Sequence, residues 1–329
     1  MTINLDHMNR RDALAALIAS GATVLTPAAL AQSAWPAKPI RIIVPFAAGV
    51  SPDIVARIVG EPLSRELGQP ILIDNRAGAS GMIGAELAAK SPADGYTIFL
   101  TVESIVGVLP HIYSKQSYNH FRDFTSLTKI VTVPYYLVTN PNRPYQTVKD
   151  LLEDAKKRPG AIDYGSLGIG SGGHVRMEML NNMAGTRMAH IPYKGSPMAD
   201  LMAGQLSVAF EPATTAIPLI RSGKLRALAV TSTVREPALP EVPPAADSVP
   251  GFSADGWQGF VVPAGTPPAI TARLNAEIAK VLALSDVQNR LRDLGLHPVG
   301  NSVADFSANM KAEFDKWGKV ARDNDIRVE

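Results

Sequence analysis

Short β-branched runs alternate along the chain with segments whose apolar residues recur every three or four positions. Ile40–Val44 reads IRIIV and is ended by Pro45, which predicts a buried strand. After the loop AAGVSPD, Ile54, Val55, Ile58 and Val59 fall at helical spacing, and Ser51 or Asp53 opens that helix. A second strand at Ile71–Asp74 leads through the glycine loop NRAGASG into the helix MIGAELAAK, and a third strand is predicted at Thr97–Thr101. Strand, glycine loop and helix in repeated succession predict an α/β fold with a parallel sheet.

The rhythm restarts after YYLVT at Tyr135–Thr139. Thr147 caps the helix VKDLLEDAKKR, and Pro159-Gly160 stops it. Then come IDYGS, a glycine loop, the helix HVRMEMLNNM and the strand MAHIPY. PMADLMAG and LSVAFE repeat the unit, and the helix TTAIPLIRSG and the strand LRALAVTS complete it. The Pro-rich stretch REPALPEVPPAADSVPG interrupts, and the chain resumes with GWQGFVVP and helices at Pro267–Leu284, near Asp286–Leu294, and from Ser302 to about Asp323. This predicts two lobes, each a mixed, mostly parallel sheet flanked by helices. Lobe one spans 35–134 plus 259–329 and lobe two spans 135–258, with strand-like segments near Tyr135 and Gln258 forming a two-strand hinge over a cleft.

The first thirty-one residues read differently. Arg10-Arg11 precede an Ala-rich run ending in Ala29-Leu30-Ala31, the small-x-small pattern of a secretory signal peptide. Ser20, Gly21, Thr23 and Pro27 break the run and argue against a spanning helix. NRRDAL resembles a twin-arginine signal, and the same arginines also suit the general secretory route. Met8 is an alternative start. Composition adds that the protein is globular, with 46% hydrophobic and 19% charged residues. A net charge of +2 gives no reason to expect a nucleic-acid partner. With no cysteine, an exported chain depends on its core rather than on disulfides.

Gly168-Ile169-Gly170-Ser171-Gly172-Gly173 formally matches the dinucleotide pattern G-x-G-x-x-G. A nucleotide site also needs an acid at the end of the next strand, and that strand ends HIPYK. No cofactor is therefore expected. The glycines still let backbone amides approach an anion at a helix start. Three such loops, 47–53, 78–84 and 165–173, should converge beyond the carboxyl ends of their strands. The expected contacts are Ala48 and Gly49 in the first loop, and Ser166, Gly170, Ser171 and Gly172 in the third. Asp53 suits either an N-cap or a ligand contact. Tyr193 and Lys194 end a strand at the cleft, Lys194 being equally suited to a solvated charge.

Glu103, next to Ser104, comes directly after the third strand. It is either a first-turn acid favoured by the helix dipole or a cleft carboxylate that pairs a ligand ammonium and rejects a second carboxylate. Glu211 at the end of LSVAFE has the same alternatives. Trp257, Tyr135 and Tyr136 suit cleft walls or core packing, and His174 and Arg76 suit structural roles. The six histidines show no metal-ligand spacing, and G-x-S-x-G and H-E-x-x-H are absent. No metal and no catalytic residue is expected, although a Ser–His–acid triad assembled from distant positions stays open.

The ordered segments WPAKPIRIIVPFAAGVSPDIVAR, GQPILIDNRAGASGMIGAE, PADGYT, DYGSLGIGSGGH, HIPYKGS, GKLRALAVTS and PAGTPP resemble the solute receptors of tripartite tricarboxylate transporters, the Bug-type periplasmic binding proteins. The resemblance runs from about Trp35 to the C-terminus. It implies a type II-like periplasmic binding fold, capture of a small organic carboxylate by backbone amides, hydroxyls and water, and delivery to membrane permease subunits. Val50 and Pro52 depart from a family loop that usually reads Pro-Ala-Gly-Gly-x-Thr-Asp. Met82 stands where asparagine is common, and Glu211 where aspartate is common. The alternative is an exported α/β enzyme, or a sensor outside transport, using the same cleft.

Overall fold

The computed structural model describes residues 35–323 and Ile326, so the export-signal reading lies outside the described residues. From Lys38 the chain builds β1 (Ile40–Val44), α1 (Ser51–Leu67), β2 (Ile71–Asn75), α2 (Met82–Ala89) and β3 (Thr97–Val102). Three short helical turns come next, α3 (Glu103–Gly107), α4 (Leu109–Ile112) and α5 (His120–Asp123), and then the long strand β4 (Phe124–Val133). The second series comprises β5 (Tyr135–Thr139), α6 (Val148–Lys157), β6 (Asp163–Ser166), α7 (Gly172–Ala184) and β7 (Ala189–Pro192). It continues through α8 (Met198–Met202), β8 (Val208–Pro212), α9 (Ala213–Arg221) and β9 (Arg226–Val230). The chain closes with β10 (Gly256–Pro263), α10 (Pro268–Ala283), α11 (Ser285–Asp293), β11 (His297–Pro298) and α12 (Val303–Asp323).

Local chemistry sets these boundaries. Thr147 and Asp150 form a reciprocal capping box that starts α6. Gly68 ends α1 in the left-handed conformation that a Cβ disfavours. β3 and β10 are buried at every position, which is why neither shows the apolar–polar alternation of a strand with one face in water.

The strands form a six-stranded sheet of order β11-β4-β10-β3-β1-β2 and a five-stranded sheet of order β7-β6-β8-β5-β9. In each, one strand runs against its neighbours: β10 is antiparallel to β3 and β4, and β5 is antiparallel to β8 and β9. α10 packs on α1 and β4, and α12 on α3 and β4, so these two C-terminal helices lie on the six-stranded sheet.

Strand propensity alone does not separate β4 from β5. FTSLTKIVTVPYYLVT is one β-rich run divided by Pro134, and its two halves belong to different sheets. Pro134 is thus the first crossing. The second precedes Gly256, because β10 pairs with β4 from Gly256 onward, three residues before the predicted return to lobe one at residue 259.

Candidate functional site

Four helices begin at the ends of β1, β3, β6 and β8: α1 at Ser51, α3 at Glu103, α7 at Gly172 and α9 at Ala213. Their starts face one inner cavity of about 40 Å³, enough for a few waters or one carboxylate head group. Phe46, Val50 and Leu167 separate it from an outer recess of about 560 Å³ bordered by the 77–81 loop, Gly168, Ile169 and residues 192–195. The Ser80 hydroxyl donates to the Ile169 carbonyl at 2.6 Å and so joins loops of the two sheets across this recess.

Converging helix starts place partial positive charge on the inner cavity. The Ser171 hydroxyl is buried and has no hydrogen-bond partner among the described residues. As the first residues of α7, Gly172 and Gly173 have no preceding turn to accept their amide protons. From the facing sheet, Ser51 Oγ accepts from Gln258 Nε2 at 2.8 Å, leaving its own hydrogen available. Both residues line the cavity. The donors therefore come from both sheets.

Of the residues singled out from sequence, Glu103, Ser104, Ser166, Ser171, Gly172 and Glu211 line the inner cavity. Tyr193 borders the outer recess, with its hydroxyl donating to Asp200 at 2.7 Å. Other expectations need correction. Ala48 and Gly49 lie on an exposed turn that borders neither cavity, and the Gly49 amide donates to Asp53 Oδ2 at 2.9 Å. Asp53 faces inward to its own loop and accepts from Arg57 and Asn75 as well. Burial opposes its charge, but the bonds from Arg57, Gly49 and Asn75 outweigh that and hold the carboxyl below its ordinary value. It orders the loop whose cavity-lining members are Phe46, Val50, Ser51 and Pro52. The amide of Gly170 donates to His174 Nδ1 at 3.0 Å, which leaves it unavailable to a ligand.

Glu103 needs a correction of a different kind. Its carboxylate lines the cavity but is bound by Arg176, whose Nη1 lies 2.9 Å away, and by the Trp257 amide at 3.4 Å. Arg176 is fully buried, donates also to the carbonyls of Gly172 and Ala254, and lies 3.7 Å over the Tyr135 ring. The partner of Glu103 is therefore this internal cation rather than a ligand ammonium. Sequence reasoning missed Arg176, although the residue carries a signal: it is the lone Arg or Lys of the helix HVRMEMLNNM and stands between Val175 and Met177.

Glu211 differs. Among the described residues only Thr215 bonds its carboxyl, at 3.0 Å to Oε2, and burial pushes it up to about 7. Tyr136 and Trp257 belong to the cores, while Tyr135 lines the cavity. Ser166 Oγ lies 2.6 Å from His190 Nε2. Burial holds the His190 ring neutral, with its pKa down to about 4, and it has no carboxylate partner among the described residues. Among the described residues no cluster suited to a metal ion occurs.

Two sheets of matching order with a donor-lined cleft between them define a two-lobed, type II-like solute-binding protein. The chain belongs to the tripartite tricarboxylate transporter family receptors, whose family model matches residues 55–326. It is 36% identical to the UPF0065 protein in the tcbD-tcbE intergenic region of Pseudomonas sp. strain P51, over 96% of this chain and 95% of that one. To BugT of Bordetella pertussis it is 34% identical over 98% and 100%. Among solved structures, R. palustris Rpa4515 with adipate superposes with a TM-score of 0.86 at 35% identity, covering 89% of this chain and 99% of that one. MatC of Rhodopseudomonas palustris with bound malate gives 0.83 at 28%, covering 87% and 99%. The family and these structural neighbours are solute receptors.

Proposed function

We propose that this protein captures a small dicarboxylate in the periplasm and presents it to the membrane permease subunits of a tripartite tricarboxylate-type transporter. The observation that carries the reading is the unpartnered, buried Ser171 hydroxyl beside the free amides of Gly172 and Gly173, in a cavity of head-group size. One carboxylate enters there, its charge met by hydroxyls, amides and helix starts, with no arginine among the lining residues. The other end lies in the outer recess, where Lys194 is the only charged side chain among the lining residues. Adipate and malate in the related structures support this ligand class.

The hinge rests on the same reading. We assign lobe one to residues 35–134 plus the chain from Gly256 onward and lobe two to the segment between, closing on each other about the crossings at Pro134 and before Gly256. Export by the twin-arginine or the general secretory route delivers the chain to that compartment. Native mass spectrometry of the purified protein, and then calorimetry with C4–C6 mono- and dicarboxylates, tests the function. A co-purifying diacid, or micromolar binding of one, is the expected result. If no acid binds, the reading fails.

A further inference from the structure

We propose that Glu211 meets the ligand's inner carboxylate as a neutral carboxylic acid, donating a hydrogen bond to the anion, so that capture takes up a proton. The inference rests on the carboxylate-receptor reading above and adds how one acid is tolerated inside an anion site.

Glu211 sits near the end of β8, is 6% exposed and lines the inner cavity. Its Oε2 accepts from Thr215 on α9, and Oε1 has no partner among the described residues. The groups around it are few. From α3 comes Glu103, and from α7 comes Arg176, which is bonded to Glu103 and to the carbonyls of Gly172 and Ala254. From β5 comes Tyr135, whose phenol burial holds neutral. Gln258 of β10, Ser51 of α1 and Ser166 of β6 are uncharged. Among the described residues no free cation faces Glu211, so nothing balances its charge if it ionises.

Burial already raises the carboxyl to about 7 before any ligand arrives. An anion placed in the same small cavity raises it further, because like charges in a desolvated site repel. The protonated form removes that repulsion and turns Glu211 into a donor, in line with Ser171 and the α7 amides. Linkage fixes the sign. Below pH 7 the empty site already holds the proton, so affinity is flat. Above pH 7 binding must take up a proton, and affinity falls by about tenfold per pH unit until the pKa of the complex is passed.

The test is calorimetry of the full protein with malate and adipate at pH 6, 7 and 8, in paired buffers of different ionisation enthalpy. Uptake should rise from near zero at pH 6 towards one proton per ligand at pH 8. Glu211→Gln should bind at pH 8 at least as tightly as the wild type, with no uptake. Infrared spectroscopy of the wild type needs no variant: the C=O stretch of a protonated carboxyl should persist at pH 8 only with ligand bound. Binding without proton exchange, or with proton release as an amine-bearing ligand would produce, overturns the inference while leaving the receptor reading intact. Undiminished uptake in Glu211→Gln also overturns it. Failure of every acid tried, at every pH, overturns the receptor reading and the inference with it.

Discussion

Arg176 on α7 and Glu103 at the start of α3 form a buried ion pair at 2.9 Å that links the two lobes at the edge of the inner cavity. Both side chains are almost fully withdrawn from water, at 0% and 3% exposure. Removing one partner leaves the other charged and uncompensated, which costs about 3–5 kcal/mol. Glu103→Gln should therefore lower the denaturation midpoint strongly, whatever ligand is present. Glu103→Leu combined with Arg176→Met should recover much of that loss. Equal stability of wild type and Glu103→Gln in urea unfolding would show that the pair is not formed.

Ser171→Ala removes one donor of several from the proposed anion site. The expected loss is about 1 kcal/mol of binding free energy, roughly a fivefold rise in Kd. Unfolding should hardly change, because the hydroxyl has no hydrogen-bond partner to lose among the described residues. Isothermal titration calorimetry and a thermal melt of the unliganded protein separate the two effects.

Gly170 has φ +79°, and a Cβ there would lie 2.5 Å from Ile112 Cδ1 and 2.7 Å from Leu109 Cδ2. Those side chains belong to α4, on the opposite side of the cleft. Gly170→Ala therefore meets a backbone penalty of about 1 kcal/mol and a clash between the lobes. Weaker ligand binding and a larger radius of gyration in small-angle X-ray scattering are the expected results. An unchanged radius with unchanged affinity would contradict the observed packing.

His297 on β11 pairs with the buried Glu236 at 2.8 Å. The hydrogen bond with Glu236 raises the imidazole above its ordinary pKa of 6.5. Burial opposes the Glu236 charge, but the bonds from His297 and Ser232 outweigh it and lower that carboxyl. The histidine's contribution is full below pH 6.5 and is lost as pH rises through the raised value. The glutamate's is present above 4.5 and is lost as pH falls through the lowered one. His297→Asn should thus destabilise more at pH 6 than at pH 9 in thermal melts. A pH-independent difference would count against a charged pair.

Glu211 works in the opposite direction for an acid. Its folded pKa of about 7 exceeds the ordinary 4.5, so the folded state binds the proton more tightly than the unfolded chain. Stability from this group is full below pH 4.5 and declines as pH rises to 7 and beyond. Glu211→Gln should match the wild type near pH 5 and melt a few degrees higher at pH 8. Parallel melting curves across that range would refute the raised pKa.

Much of this protein is set by local pattern. β-branched runs, Pro and Gly stops and the Thr147 cap mark nearly every long element, because strand and helix periodicities are properties of neighbouring residues. Glycine loops at strand ends placed Ser166, Ser171 and Gly172 at the cleft by the same logic. Tertiary structure alone decided the rest. Nothing local assigns the residues before and after Pro134 to different sheets, since pairing partners such as Tyr135 with Pro212 and Val133 with Gly256 are far apart in sequence. Nothing local gives Gly170 to His174 or Gly49 to Asp53, because each amide has several acceptors within reach until packing chooses one. Two acids at comparable strand ends show the same division. Glu103 is charge-paired because α7 brings Arg176 to it across 73 residues, whereas Glu211 meets no cation among the described residues and is raised by burial. Sequence specified the carboxyl in both cases, and the low-dielectric surroundings that set its charge came only with the fold.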